Sequence, residues 1–229
     1  MRKMQKIRLA AVVVSIVLLL GGTLSGTLAW MLARTSPVTN TFTTSNIAIT
    51  LAETGMDDNR TKEYKMIPGV VRDKDPVVTV LENSEDCWVF IKIEKSNSLD
   101  DYISYAIDEN NWEKLLDDNQ QWVDGVYCTK VPVQDVNKDR SIKILGGGEA
   151  EFTLSEDQSK ETYSWGSQQV LIRPDVTEKM MDAVKDKTVE MPTLTFTAYA
   201  SQYIKNSTEN FSQYDAWLNL PKNSTGSNT

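Results

Sequence analysis

From residue 47 onward, apolar and polar positions alternate with a period of two, the spacing of a strand with one buried face. Ile47, Ile49 and Leu51 alternate with Ala48 and Thr50. Pro76 to Leu81 (PVVTVL) and Cys87 to Ile93 (CWVFIKI) predict two more strands, separated by the polar turn Glu82 to Asp86. In the second of these, Cys87, Val89, Ile91 and Ile93 share one face, and Trp88, Phe90 and Lys92 share the other. Both faces should therefore be at least partly covered, as at the centre of a sandwich. Val123 to Val131, Glu149 to Leu154 and Gln169 to Ile172 repeat the signal. The longest run is Thr188 to Ile204, where Leu194, Phe196, Ala198 and Ala200 alternate with Thr193, Thr195, Thr197 and Tyr199. Its β-branched and aromatic content agrees with the period.

A helical period occurs in two places. Asp175 to Lys185 opens after Pro174 with an acid in its first turn and spaces Val176, Met180, Met181 and Val184 along one face,. Asn210 to Leu220 does the same with Phe211, Tyr214, Trp217 and Leu218. Both read as short caps over a sandwich, with the methionines in the core. Many short strands, hairpin-length turns and no alternation of strands with helices predict an all-β fold: an antiparallel jelly-roll-type β-sandwich with one or two capping helices.

The N-terminus follows a different rule. Arg2, Lys3, Lys6 and Arg8 precede an apolar core, Leu9 to Leu20, which Gly21 and Gly22 break ahead of Thr27-Leu28-Ala29. Small residues at those last positions suit a signal peptidase, so the sequence predicts cleavage between Ala29 and Trp30. The alternative is a retained anchor, because no charge falls between Leu9 and Ala33, and such a span can cross a bilayer. In either case the basic end stays inside and the chain after Arg34 faces out. The predicted organisation is a signal peptide over 1–29, an arm over 30–46, a sandwich domain over 47–220 and a polar, disordered tail over 221–229.

Charge and composition narrow the function. The net charge is −8, and loss of the four leader cations would take it to −12. An acidic chain without a basic stripe is a poor nucleic-acid binder. There is no histidine, which removes the commonest general base, the usual zinc ligand and every Ser-His or Cys-His arrangement. No cofactor motif is present: Gly146-Gly147-Gly148 reads as a flexible turn outside any phosphate-loop context,. Asp57-Asp58, Asp73 with Asp75, Asp100-Asp101 and Asp117-Asp118 offer oxygen ligands for calcium,. None has EF-hand spacing, and solvated turn charge is the better reading. The two cysteines, Cys87 and Cys128, could close a disulfide in an exported chain or remain buried thiols; both readings stay open.

The stretch GGTLSGTLAWMLARTSPVTNTFTTSNIAITLAET resembles the start of the TasA/camelysin group of exported proteins, whose precursors are cut by a SipW-type signal peptidase. The similarity continues through YKMIPGVVRDKDPVVTVLENSEDCWVFIKIE, with its Pro-Gly turn, Pro-headed strand and aromatic strand, and returns at QYDAWLNL. The resemblance implies a jelly-roll protein secreted to the cell surface or extracellular matrix of a Gram-positive-type bacterium, with other copies of itself or a related fibre subunit as partners. It further implies assembly by β-augmentation, in which the freed N-terminal segment of one subunit adds as a strand to the next. Trp30, Met31, Leu32, Val38 and Phe42 are then the donor-strand candidates, and Pro37 must sit where no ladder donor is needed,. Two alternatives remain. One is a module anchored in the membrane through its uncleaved N-terminal segment and presenting a binding surface. The other is a camelysin-like surface metalloprotease, which the missing histidines disfavour.

Overall fold

The computed structural model describes residues 46–57, 62–132, 138–154 and 158–220. The predicted leader, the cleavage pair Ala29–Trp30, the donor candidates Met31, Leu32, Val38 and Phe42, and the tail 221–229 lie outside the described residues. Contacts divide the chain after Thr44, and every described residue belongs to the second unit.

In chain order the elements are β1 (Ile49–Ala52), β2 (Val71–Asp73), β3 (Val77–Val80), β4 (Cys87–Lys95), α1 (Leu99–Tyr102), β5 (Ile103–Ser104), β6 (Ala106–Ile107), β7 (Glu113–Leu116) and β8 (Trp122–Val131). They continue with β9 (Arg140–Lys143), β10 (Leu145–Gly146), β11 (Gly148–Thr153), β12 (Lys160–Trp165), β13 (Gln169–Ile172), α2 (Glu178–Lys185), β14 (Leu194–Gln202) and α3 (Gln213–Leu218). Every strand pairing is antiparallel. The chain is thus all-β with a few short helices. The largest sheet runs β14-β4-β8-β7, and smaller ones run β1-β3-β9 and β2-β13-β5, with the ribbons β10-β6 and β11-β12.

The period-two pattern of β4 explains the layering. Its Cys87, Val89 and Ile91 enter one core with Val78 and Val80 of β3, Val131 of β8, Trp112, Ile144 and Val170, so the two larger sheets face each other across shared apolar side chains. Each fully buried Val or Ile there contributes about 2 kcal/mol through removal from water. On the opposite face Phe90 joins Leu115, Val126, Cys128 and Ala216. Helix α3 covers that face: the Trp217 ring lies 5.4 Å from Phe90 and 5.6 Å from Tyr199, and Trp88 Nε1 donates to the Phe211 carbonyl at 3.0 Å. Both faces of β4 are covered, as its pattern predicts.

The cysteines are free and buried. Cys87 pairs with Val131, whereas Cys128 pairs with Phe90, three positions along β4 and on the other face. They enter different cores, so the sheet itself separates the sulfurs and the disulfide reading gives way to buried thiols.

Both helices start later than their patterns suggest. Asp175 is engaged by Arg173, with Nε to Oδ1 at 3.0 Å and Nη2 to Oδ2 at 2.6 Å, and Thr177 takes the N-cap, its hydroxyl accepting from Met180 N at 3.3 Å,. Met180 and Met181 pack on Tyr102, Val176 and Val184, as expected of core. Asn210 bridges to Ile204, and Ser212 caps α3 by accepting from Asp215 N at 3.1 Å. Strand β14 starts at Leu194 because Thr188 is held by the end of α2, its N–H donating to Ala183 O at 2.9 Å, and Pro192 offers no ladder donor. The triple glycine is no flexible turn. A Cβ on Gly148 would lie 2.6 Å from the Trp165 ring, and one on Gly146 2.9 Å from the Ile107 carbonyl. These glycines let the β10-β6 and β11-β12 ribbons pack closely against their neighbours,.

Candidate functional site

The turn after β1, the segment around residue 64 and the link from β2 to β3 bring Glu53, Lys62, Tyr64, Lys74 and Asp75 together. Glu53 is nearly buried, its side chain 7% exposed. Its Oε2 takes Lys74 Nζ at 2.9 Å, while Oε1 accepts the Tyr64 hydroxyl and has Lys62 Nζ at 3.5 Å. Lys62 also donates to the Thr54 carbonyl at 2.7 Å, and Lys74 sits 5.5 Å from the centres of both the Tyr64 and Phe196 rings. Burial, then the hydrogen bond to Glu53, then the neighbouring negative charges push the Tyr64 phenol far above its ordinary value of 10.0,. Burial alone would raise the Asp75 carboxyl, but hydrogen bonds from Thr54 outweigh it and the net direction is down.

This cluster forms the polar flank of a groove of about 500 Å³ whose apolar lining includes Leu51, Met66, Leu99, Ile103, Met191 and Phe196. The groove runs along the start of β14, the outer strand of the four-stranded sheet. Among the described residues β14 pairs with β4 alone. Its nine residues, LTFTAYASQ, contain no charge, proline or glycine, the devices by which natural edge strands resist pairing with another chain. Exposed apolar side chains flank it, Met191 before it at 59% and Ile204 after it at 53%. Both Glu53 oxygens are engaged by protein groups.

The acids singled out in the sequence do not converge. Asp73 accepts from Gln169 Nε2 at 2.9 Å, Asp75 from Thr54 N at 3.1 Å, and Asp100 pairs with Lys95. Asp117 closes its own turn by accepting from the N–H groups of Asn119 and Gln121 at 2.9 and 2.8 Å. Asp58 lies outside the described residues. Among the described residues no three His, Cys, Asp or Glu side chains are grouped to hold a metal ion, and no helix is long and apolar enough to cross a membrane. The Glu53 cluster has no signal in the sequence, because its members lie up to 22 positions apart and the β1–β3 pairing brings them together. No family model, curated protein or solved structure matches the chain.

Proposed function

We propose that the protein is a secreted, non-enzymatic structural component of the cell surface or extracellular matrix, a fibre subunit or an accessory to one, that assembles by strand addition. The carrying observation is β14, a nine-residue edge without charge or proline beside an apolar groove. Such an edge offers a ladder to an incoming strand, and the groove offers its side chains a pocket. In this reading the arm of residues 30–46, freed by a SipW-type peptidase at Ala29–Trp30, supplies that strand to a neighbouring copy or related subunit, with Trp30, Met31, Leu32, Val38 and Phe42 as its apolar contacts. The resemblance to the TasA/camelysin group supports it, as does the antiparallel all-β architecture, with jelly-roll connectivity as the finer expectation.

Electron microscopy of chains starting at Trp30 and at Thr43, incubated side by side, tests the proposal. Filaments from the longer chain alone are expected. Filaments from both would move the donor elsewhere, and monomers from both, even after seeding, would overturn the reading.

A further inference from the structure

A second concavity shares no lining residue with this groove. It is open to solvent, about 840 Å³ in volume, and lies between the β6–β10 ribbon and the β7–β8 hairpin. Tyr105 and Tyr127 stand in it, with Asp108, Glu109, Asn110 and Lys114 around them. Trp122, 40% exposed, packs on two of the lining residues, its ring 5.8 Å from that of Tyr127 and Lys114 Nζ 4.8 Å from its centre. The aromatic rings and the polar groups thus share one surface.

The wall is built before any ligand arrives. Asp108 N donates to Ile144 O at 2.9 Å, and Asn111 N and Trp112 N return to Asp108 O at 3.0 and 2.9 Å. The Asp108 carboxylate accepts from Asn110 N at 3.2 Å and Asn111 Nδ2 at 2.7 Å. Trp112, buried, pins the turn by donating from Nε1 to Lys143 O at 2.7 Å. Gly146 lies so close to Ile107 and Asp108 that a Cβ would displace the wall. The phenols, by contrast, have no hydrogen-bond partner among the described residues. Burial, the largest influence on each, raises their pKa, so both remain hydroxyl donors through the physiological range.

We propose that this cleft binds a glycan of neutral or amino sugars. Pyranose rings present an apolar C–H face and a polar rim of hydroxyls. The half-buried rings of Tyr105 and Tyr127 and the exposed Trp122 match the first,, and fixed carboxylate, amide and phenol groups match the second. A purely apolar ligand would leave the two phenols without a partner. Asp100 is paired with Lys95, but Asp108 and Glu109 still outnumber Lys114 in the lining, which disfavours polyanionic glycans and favours neutral or cationic ones. This cleft and the β14 groove share none of the residues that line them, so glycan binding and assembly can be tested apart.

Titration of the full chain with hexamers of N-acetylglucosamine, glucosamine and galacturonate, followed by tryptophan fluorescence and calorimetry, tests the proposal. Saturable binding of at least one of the first two is expected, with none of the third. Trp122→Ala and Tyr127→Phe should each weaken binding by about five- to tenfold, the scale of one aromatic or hydrogen-bond contact, without lowering the melting temperature by more than a few degrees. Absence of binding by both amino-sugar hexamers at about 10 mM, far weaker than a specific site, would overturn the proposal. So would equal binding of the galacturonate hexamer, or unchanged affinity in both variants.

Discussion

At the scale of single residues, Glu53 and Tyr64 carry the sharpest expectations. Glu53 is a nearly buried carboxylate shared by two lysines and a phenol. Glu53→Gln removes the carboxylate that Lys74 pairs with, while Lys62 keeps Asp75 nearby, and should destabilise the protein by about 2–3 kcal/mol in denaturant melts. For Tyr64 the pKa is raised in the folded state, so the proton is held more tightly folded than unfolded. The resulting stability is fully present below the ordinary phenol pKa, near 10, and is lost as pH rises above it. Melting temperatures should therefore fall more steeply between about pH 9 and 11 in the parent than in Tyr64→Phe, because only the parent releases this proton on unfolding. Equal slopes would remove Tyr64 from the cluster. The thiols make a parallel case: burial raises Cys87 to about 11 and Cys128 to about 12. A thiolate-directed reagent should label neither in the native protein and both after denaturation, and reductant should leave the melting temperature unchanged.

At the scale of elements, the strands readable in the sequence are those with one clean apolar face. β1, β3, β4, β8, β13 and β14 fall where alternation places them, because burial on one or both faces leaves a period of two in the residue types. β5, β6 and β10 are two residues each, too short to show a period. β12, KETYSW, is polar over its first three residues, and only Tyr163, partly, and Trp165 reach the core. The glycine triplet misleads for a related reason: composition alone does not distinguish a glycine that moves from one that admits a neighbour's backbone. Gly148→Val should cost more than about 3 kcal/mol, or abolish folding, because the Trp165 ring has nowhere to withdraw. Helix α3 is legible through Phe211, Tyr214 and Trp217, but its job of closing the outer face of β4 is not, because it depends on which face of which sheet is left bare. Trp217→Ala should cost about 2–3 kcal/mol by stripping the rings from Phe90 and Tyr199, and Ser212→Ala about 1 kcal/mol through loss of the cap.

At the scale of the whole molecule, β14 decides how subunits can meet. The period of LTFTAYASQ marks a strand, but nothing in it marks an edge, because edge or centre depends on the order of strands in the sheet rather than on the strand itself. The inner face, with Phe196 and Ala198, is held by the core, whereas Thr195 is exposed and free to change. Thr195→Lys adds to the edge the charge that natural edges use against pairing, at a folding cost within about 0.5 kcal/mol for an exposed site. If subunits join by adding a strand to β14, the variant should melt like the parent yet form filaments far more slowly in a light-scattering assay, and raised salt should restore part of the rate by screening the new charge. A Thr195→Lys chain that assembles as fast as the parent would put the subunit contact on another edge.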